Sequence, residues 1–268
     1  MKNRLFTLGK VFVSRLGLNK PTRFLYNLTS MSRATRTAEI NGIICTFRTP
    51  THTIAEHVET LTGEREILRH FLQQVRPDDV IWDVGAGFGL YTVFAGKMMK
   101  QGMVYAFEPE PRTRTLLERN LRLNGTSRVE ILPFALGDAD SVVTMYQSDS
   151  PNVGTHALVQ RTDFRLKARG IPVDQRRGDS ILQEAMALAP HMLKIDVEGA
   201  ECRVLAGMSS ILSHPSLRSV YCEVHPRVLQ LFGDSPSDAE RLITNAGLAI
   251  IERHQRGTEY HIVSVRHS

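Results

Sequence analysis

The stretch Val80–Thr92, VIWDVGAGFGLYT, decides the fold. An apolar run ends in Asp83, and Gly85, Gly87 and Gly89 follow at alternate positions before a second, helix-like apolar run. Glycine admits positive φ and lets a ligand come close to the backbone, and three of them are costly for a turn that holds nothing. The pattern predicts a buried strand, a ligand-holding turn and a helix. A dinucleotide loop, GxGxxG or GxGxxA counted from Gly85, needs Gly or Ala where Leu90 stands. A phosphate loop needs a Gly-Lys-Ser/Thr that does not follow. The spacing that remains is DxGxGxG.

Working outward, the chain alternates short apolar runs with helical periodicity. Strands are predicted over 103–107, 129–136, 192–197 and 219–224, and helices over 90–100, 113–123, 200–212 and 238–246. Repeated βα units imply a parallel sheet with helices on both faces. Leu248–Glu252 and Glu259–Val265 are joined by HQRGT, too short for a crossover, so the sheet ends in an antiparallel hairpin. Upstream, EINGIICTFRT (39–49) reads as a small hairpin about Asn41-Gly42, and 63–75 as a helix burying Ile67, Leu68, Phe71 and Leu72. Residues 140–190 form an insertion with strands over 141–145 and 171–176 and a helix over 181–188 capped by Asp179, placed to build a substrate region.

A chain of 268 residues fits one catalytic-size domain, 39–268, plus an appendage, 1–38. The net charge of +5 is local: residues 1–38 hold eight Lys and Arg and no acid, so the remainder sums to −3. Three readings of this basic, partly apolar leader stand open: a helix packed on the domain, a peripheral contact with an anionic membrane face, or a transit peptide. No apolar run approaches the ~18 residues of a membrane span. Cys45, Cys202 and Cys222 are scattered and form no CxxC, which argues against a disulfide scaffold and structural zinc and for a reducing, cytoplasmic setting.

The strand over 103–107 leads into Glu108, a carboxylate placed to accept ribose hydroxyls. The loop Ala135–Asp138 is the natural adenine contact, with Leu136 against the ring and Asp138 toward its amine. MLKIDVEGAE (192–201) puts Asp196 and Glu198 two apart, on one side of an extended strand. Glu201 falls in a first helical turn, where acids oppose the dipole.

In order, DVGAGFGLYT, AFEPEP, LLERNLRLN, ALGD, KIDVEGAE and EVH (223–225) resemble the FkbM-type methyltransferases over roughly residues 60–265. PNVGTHAL, from Pro151, resembles that family's loop before the insertion more weakly. The resemblance implies a class I methyltransferase, Rossmann-like fold with a mostly parallel seven-stranded sheet, and S-adenosylmethionine as methyl donor. It implies transfer to a hydroxyl of a glycan, glycolipid or related small molecule. Asp83, Gly85, Gly87, Gly89, Tyr91, Glu108, Leu136 and Asp138 would then bind the cofactor, Asp83 suiting its cationic groups. Asp196, Glu198 and His225 would be catalytic, with Asp196 the first candidate for general base and His225 and His156 the alternatives. Asn152, His156 and Glu223 would face the acceptor. A divalent metal on Asp196, Glu198, Glu223 and His225 is the less favoured version, because no tight ligand motif demands it.

Nucleic acid is disfavoured as substrate. The body is acidic, aromatics are 7%, and the fourth strand lacks the Asn/Asp-Pro-Pro-aromatic signature of base methylation. An RNA or protein methyltransferase using the leader as an arm and a non-catalytic cofactor-binding module remain the rivals.

Overall fold

A computed structural model describes residues 35–61, 63–147 and 169–266 of the chain. Most of the basic leader, the PNVGTHAL loop, Asn152 and His156 lie outside these residues.

The hairpin is present. Strands β1 (Thr35–Ile40) and β2 (Ile43–Arg48) pair antiparallel. Asn41 and Gly42 both take positive φ, 52° and 77°, as a type I′ turn requires. Its first strand starts at Thr35, inside the stretch assigned to the leader. Helix α1 (His52–Thr60) has no counterpart in the sequence reading. Only Ile54, Ala55 and Val58 are buried on it, too sparse an apolar face to stand out, and the Thr51 hydroxyl caps it by accepting from the Ile54 N–H at 3.3 Å. Helix α2 (Arg65–Gln74) buries the four expected apolar residues.

The main sheet uses β3 (Val80–Val84), β4 (Met103–Phe107), β5 (Val129–Leu132), β9 (Met192–Ile195), β10 (Ser219–Val224), β11 (Leu248–Arg256) and β12 (Glu259–Arg266). Its order is β11-β12-β10-β9-β3-β4-β5. The run β10-β9-β3-β4-β5 is parallel, and β12 joins β10 and β11 antiparallel. Successive side chains alternate between faces. Ile81, Val104 and Ala106 pack with α2, α3 (Leu90–Met98) and α4 (Pro111–Asn124), while Trp82, Val84, Tyr105 and Phe107 pack into the opposite core. Trp82 is fully buried against Phe107, 4.9 Å between centroids, and its indole N–H donates to the Leu188 carbonyl at 2.9 Å. Burying each such side chain contributes about 1.5–3 kcal/mol.

The paired asparagines of LLERNLRLN clip the hairpin to α4. Asn124 donates to the Thr46 carbonyl and accepts from its N–H, at 2.6 and 2.9 Å. Asn120 accepts from the Arg48 N–H at 2.8 Å and donates to the Phe88 carbonyl at 2.8 Å, tying hairpin and glycine turn together.

Four expectations are corrected. The strand expected over 129–136 breaks at Pro133, which has no N–H for a ladder. Beyond it β6 (Ala135–Leu136) joins β8 (Arg169–Arg176) and β7 (Ser141–Gln147) in a separate sheet, order β6-β8-β7. The helix expected over 200–212 is two, α6 (Glu201–Ala206) and α7 (Ser209–Leu212). At the break lies Gly207, where a Cβ would stand 1.8 Å from the Gly137 carbonyl oxygen. Asp179 does not cap its own helix, α5 (Gly178–Gln183). Its carboxylate accepts from the Ser210 and Ile211 N–H groups of α7, at 3.1 and 3.2 Å. Finally, β11 runs through Arg256 and only Gly257-Thr258 form the turn, so Arg256 is a strand residue that reaches the site. Among the described residues the remaining α-helices are α8 (Pro226–Leu229), continued by a 3-10 turn over Gln230–Phe232, and α9 (Pro236–Asn245), the latter with a Ser235/Asp238 capping box.

Candidate active site

The C-terminal ends of β3, β4, β9 and β10 open onto one cavity of about 330 Å³, the size class of small-ligand sites. One end of it is built by the glycine turn. Gly85 has φ +78°, and a Cβ there would stand 1.8 Å from the Asp196 carbonyl oxygen. Gly89, φ +95°, faces Leu117, whose methyl would lie 2.4 Å from a Cβ. A Cβ added at Gly87, φ +57°, would meet no atom of the described residues within 4 Å, so a ligand can approach the backbone on that side.

Glu108 completes this end. One carboxylate oxygen accepts from the Gly87 N–H and the other from the Glu110 N–H, both at 2.9 Å. Burial pushes its carboxyl up to about 7 against the pull of those two donors. Phe134 and Leu136 supply an apolar wall. Asp138 stands apart from this lining, with its carboxylate 3.6 Å from Arg203. Asp83 also lies behind the lining rather than on it. It accepts from the Thr92 hydroxyl and sits 3.7 Å from Lys194, and burial raises its carboxyl.

The opposite end is a charge network. Lys194 is buried, with its ammonium 3.2 Å from Asp196, 3.7 Å from Asp83 and 5.0 Å from the centre of the Tyr91 ring. Burial opposes its charge, but Asp196 and Asp83 raise it. Burial likewise works against the charge of Asp196, and Lys194 with His225 and His261 nevertheless holds its carboxyl down at about 2. The Tyr91 hydroxyl donates to Glu64 at 2.7 Å. Arg256 bridges Glu64 and Glu223 at 2.6 and 2.9 Å. Burial, with Asp196 and Glu64 nearby, pushes Glu223 up to about 8.

Asp196 and Glu198 do meet, but not along an extended strand. The β9 ladder ends at Ile195, and Glu198 with φ +53° and Gly199 with φ +105° turn the chain back. His225 faces both acids, its Nε2 3.9 Å from each. Its Nδ1 is 2.7 Å from Glu201, which is fully buried and also accepts from the Gly199 N–H. Burial opposes charge on His225, yet Glu201, Asp196 and Glu198 push it up to about 10.

The four-residue metal set read from the sequence therefore divides. Asp196, Glu198 and His225 share one cluster, and Glu223 belongs to another with Glu64 and His261. Glu64, Arg256 and His261 were not among the expected site residues. Glu64 read as a first-turn helix acid and Arg256 as part of a turn, and neither has a local signal to connect it with Glu223, 159 and 33 residues away.

The profile of the methyltransferase FkbM domain matches residues 83–248. The chain is 28% identical over 222 residues to the hexuronic acid methyltransferase AglP of Haloferax volcanii, covering 82% of this chain and 84% of that protein. It is 28% identical over 266 residues to the 31-O-demethyl-FK506 methyltransferase FkbM of Streptomyces tacrolimicus, covering 85% and 98%. Among solved structures, a methyltransferase FkbM from Methylobacillus flagellatus superposes with a TM-score of 0.50 at 18% identity, over 79% of this chain and 52% of that one.

Proposed function

Because the chain belongs to the FkbM methyltransferase family, we propose that its cavity carries out S-adenosylmethionine-dependent methylation of a hydroxyl on a glycan, glycolipid or related small molecule. The observation that carries this reading is the meeting of two ends in one cavity. An open glycine turn with a ribose-suited carboxylate stands at one end, and the Asp196 carboxylate paired with buried Lys194 at the other.

The residues present fit the cofactor. Gly87 leaves open space against the backbone, Glu108 offers a carboxylate for ribose hydroxyls, and Phe134 and Leu136 offer an apolar face for a base. Five carboxylates, Glu64, Glu108, Asp196, Glu198 and Glu223, line the cavity together with Lys194, His225 and Arg256. S-adenosylmethionine, when bound, supplies an electrophilic methyl on a sulfonium. The chain's own work is orientation and proton handling. Asp196 accepts a hydrogen bond from the acceptor hydroxyl and aims its oxygen, which alone lowers a barrier substantially. As that oxygen is alkylated its proton becomes far more acidic than a carboxylic acid, so Asp196 can take it even though Lys194 holds its carboxyl low. His225 is held by Glu201 with its Nε2 facing Asp196 and Glu198, which places it to orient groups at this end of the cavity rather than to act as the base.

Calorimetric titration with S-adenosylmethionine, wild type against Glu108→Ala, tests the cofactor. Methyl uptake from labelled donor into sugar-hydroxyl acceptors, wild type against Asp196→Asn, tests the chemistry. Binding retained with turnover reduced roughly 10²–10⁴-fold in Asp196→Asn is the expected result; full turnover in that variant refutes the role.

A further inference from the structure

We propose that Asp196, Glu198 and His225 form a divalent-cation site at the acceptor end of the cavity. The three side chains present donor atoms that all lie within 4.8 Å of one another, with the imidazole Nε2 3.9 Å from a carboxylate oxygen on each acid. This spacing surrounds a gap suited to metal–ligand bonds of about 2.3–2.6 Å, wider than the roughly 2.0–2.1 Å shell of Mg²⁺. One imidazole with two carboxylates is a donor set for Mn²⁺-like ions rather than for thiolate-seeking ones.

The histidine supplies the observation that separates this cluster from an ordinary group of acids. Its side chain is 7% exposed, and among the described residues its Nε2 makes no hydrogen bond and instead faces the two carboxylates at 3.9 Å. The opposite nitrogen, Nδ1, is held at 2.7 Å by Glu201, a carboxylate with no exposure that is itself fixed by the Gly199 N–H at 2.8 Å. A buried carboxylate behind the distal nitrogen is the arrangement that orients metal-bound imidazoles and raises their basicity. Asp196 and Glu198 are 27% and 25% exposed, both on the cavity side, so further coordination positions stay open to acceptor oxygens.

The neighbouring cluster of Glu64, Glu223 and His261 does not compete. The Arg256 guanidinium already lies 2.6 and 2.9 Å from its two carboxylates and fills it with positive charge. What the cation would do rests on the methyl-transfer reading above: it would bind the acceptor hydroxyl and lower its pKa. Its presence does not rest on that reading.

The test uses the full-length chain and MnCl₂ alone, with free Mn²⁺ read by electron paramagnetic resonance. One Mn²⁺ per chain is expected in the wild type. Glu198→Gln and His225→Ala should abolish it, Glu201→Gln should weaken it about 10–100-fold, and Glu64→Gln should leave it unchanged. Far-UV circular dichroism checks that each variant is folded. Mn²⁺ should raise Tm in the wild type and in Glu64→Gln but not in Glu198→Gln. Absence of stoichiometric binding at millimolar Mn²⁺, binding that survives in both Glu198→Gln and His225→Ala, or binding lost in Glu64→Gln would each overturn the site. Methyl transfer that proceeds undiminished in chelator would remove the cation's role and keep the reaction. Mn²⁺ binding with no methyl uptake would keep the site and refute the reaction.

Discussion

The two ends of the cavity are built in different ways. The proposed cofactor end comes from three short segments, 85–91, 107–110 and 134–136, and works mainly through backbone: positive-φ glycines, N–H groups and one carboxylate that ties them together. The acceptor end draws Glu64, Lys194, Asp196, Glu223, His225 and Arg256 from α2's entry and the ends of β9, β10 and β11, and works through paired charge. A backbone-built end tolerates changes to distant side chains. A charge-built end is a single network in which removing one member leaves its partners buried and uncompensated.

The sharpest way to break this contrast is Lys194→Met. It leaves Asp83 and Asp196 without their shared cation and is expected to cost about 3–5 kcal/mol in chemical denaturation. A loss under 1 kcal/mol would show that the acceptor end is not a network. Next comes Gly85→Ala, which adds positive-φ strain to a collision with the Asp196 carbonyl and should cost roughly 3 kcal/mol. Gly87→Ala, strained but unobstructed, should cost about 1 kcal/mol while still weakening cofactor binding. Equal stability losses at the two glycines would contradict their separate roles.

A pH series sharpens the cofactor end. Burial pushes the Glu108 carboxyl up to about 7, and in the proposed cofactor site it is the ionised form that would pair with ribose hydroxyls. Affinity for S-adenosylmethionine should therefore rise as pH climbs from 6 to 8 and fall as Glu108 takes up its proton. Glu108→Gln should bind more weakly and flatten that dependence, read by calorimetry at each pH. The smallest effect is expected at Asn120→Ala, about 1–2 kcal/mol, because it leaves the Arg48 N–H and the Phe88 carbonyl without their partner. Its consequence should reach the cofactor end through Phe88 and leave the acceptor charges unaltered.

What could be read along the chain follows the same division. Asn41-Gly42 announces its hairpin because the turn type demands those residues. Ser219–Val224 is a strand over the predicted bounds because its β-branched and aromatic residues, Val220, Tyr221 and Val224, favour extended backbone. Pro133 was a visible reason to end β5 early, yet the apolar residues on either side concealed the change of sheet. Helix α1 escaped notice because three buried residues make a faint stripe.

The sequence alone determined the βα alternation, the glycine turn, Glu108 after the second core strand and the concentration of acids in KIDVEGAE. Each of these is a local pattern whose physics acts over a few residues. Only the tertiary structure decided which acids share a cation. Arg256 closes on Glu64 and Glu223, Lys194 on Asp83 and Asp196, and Glu201 turns from helix terminus to support for His225. Such pairings depend on distances between strand ends far apart in the chain, and sequence separation carries no record of those distances until the sheet order exists.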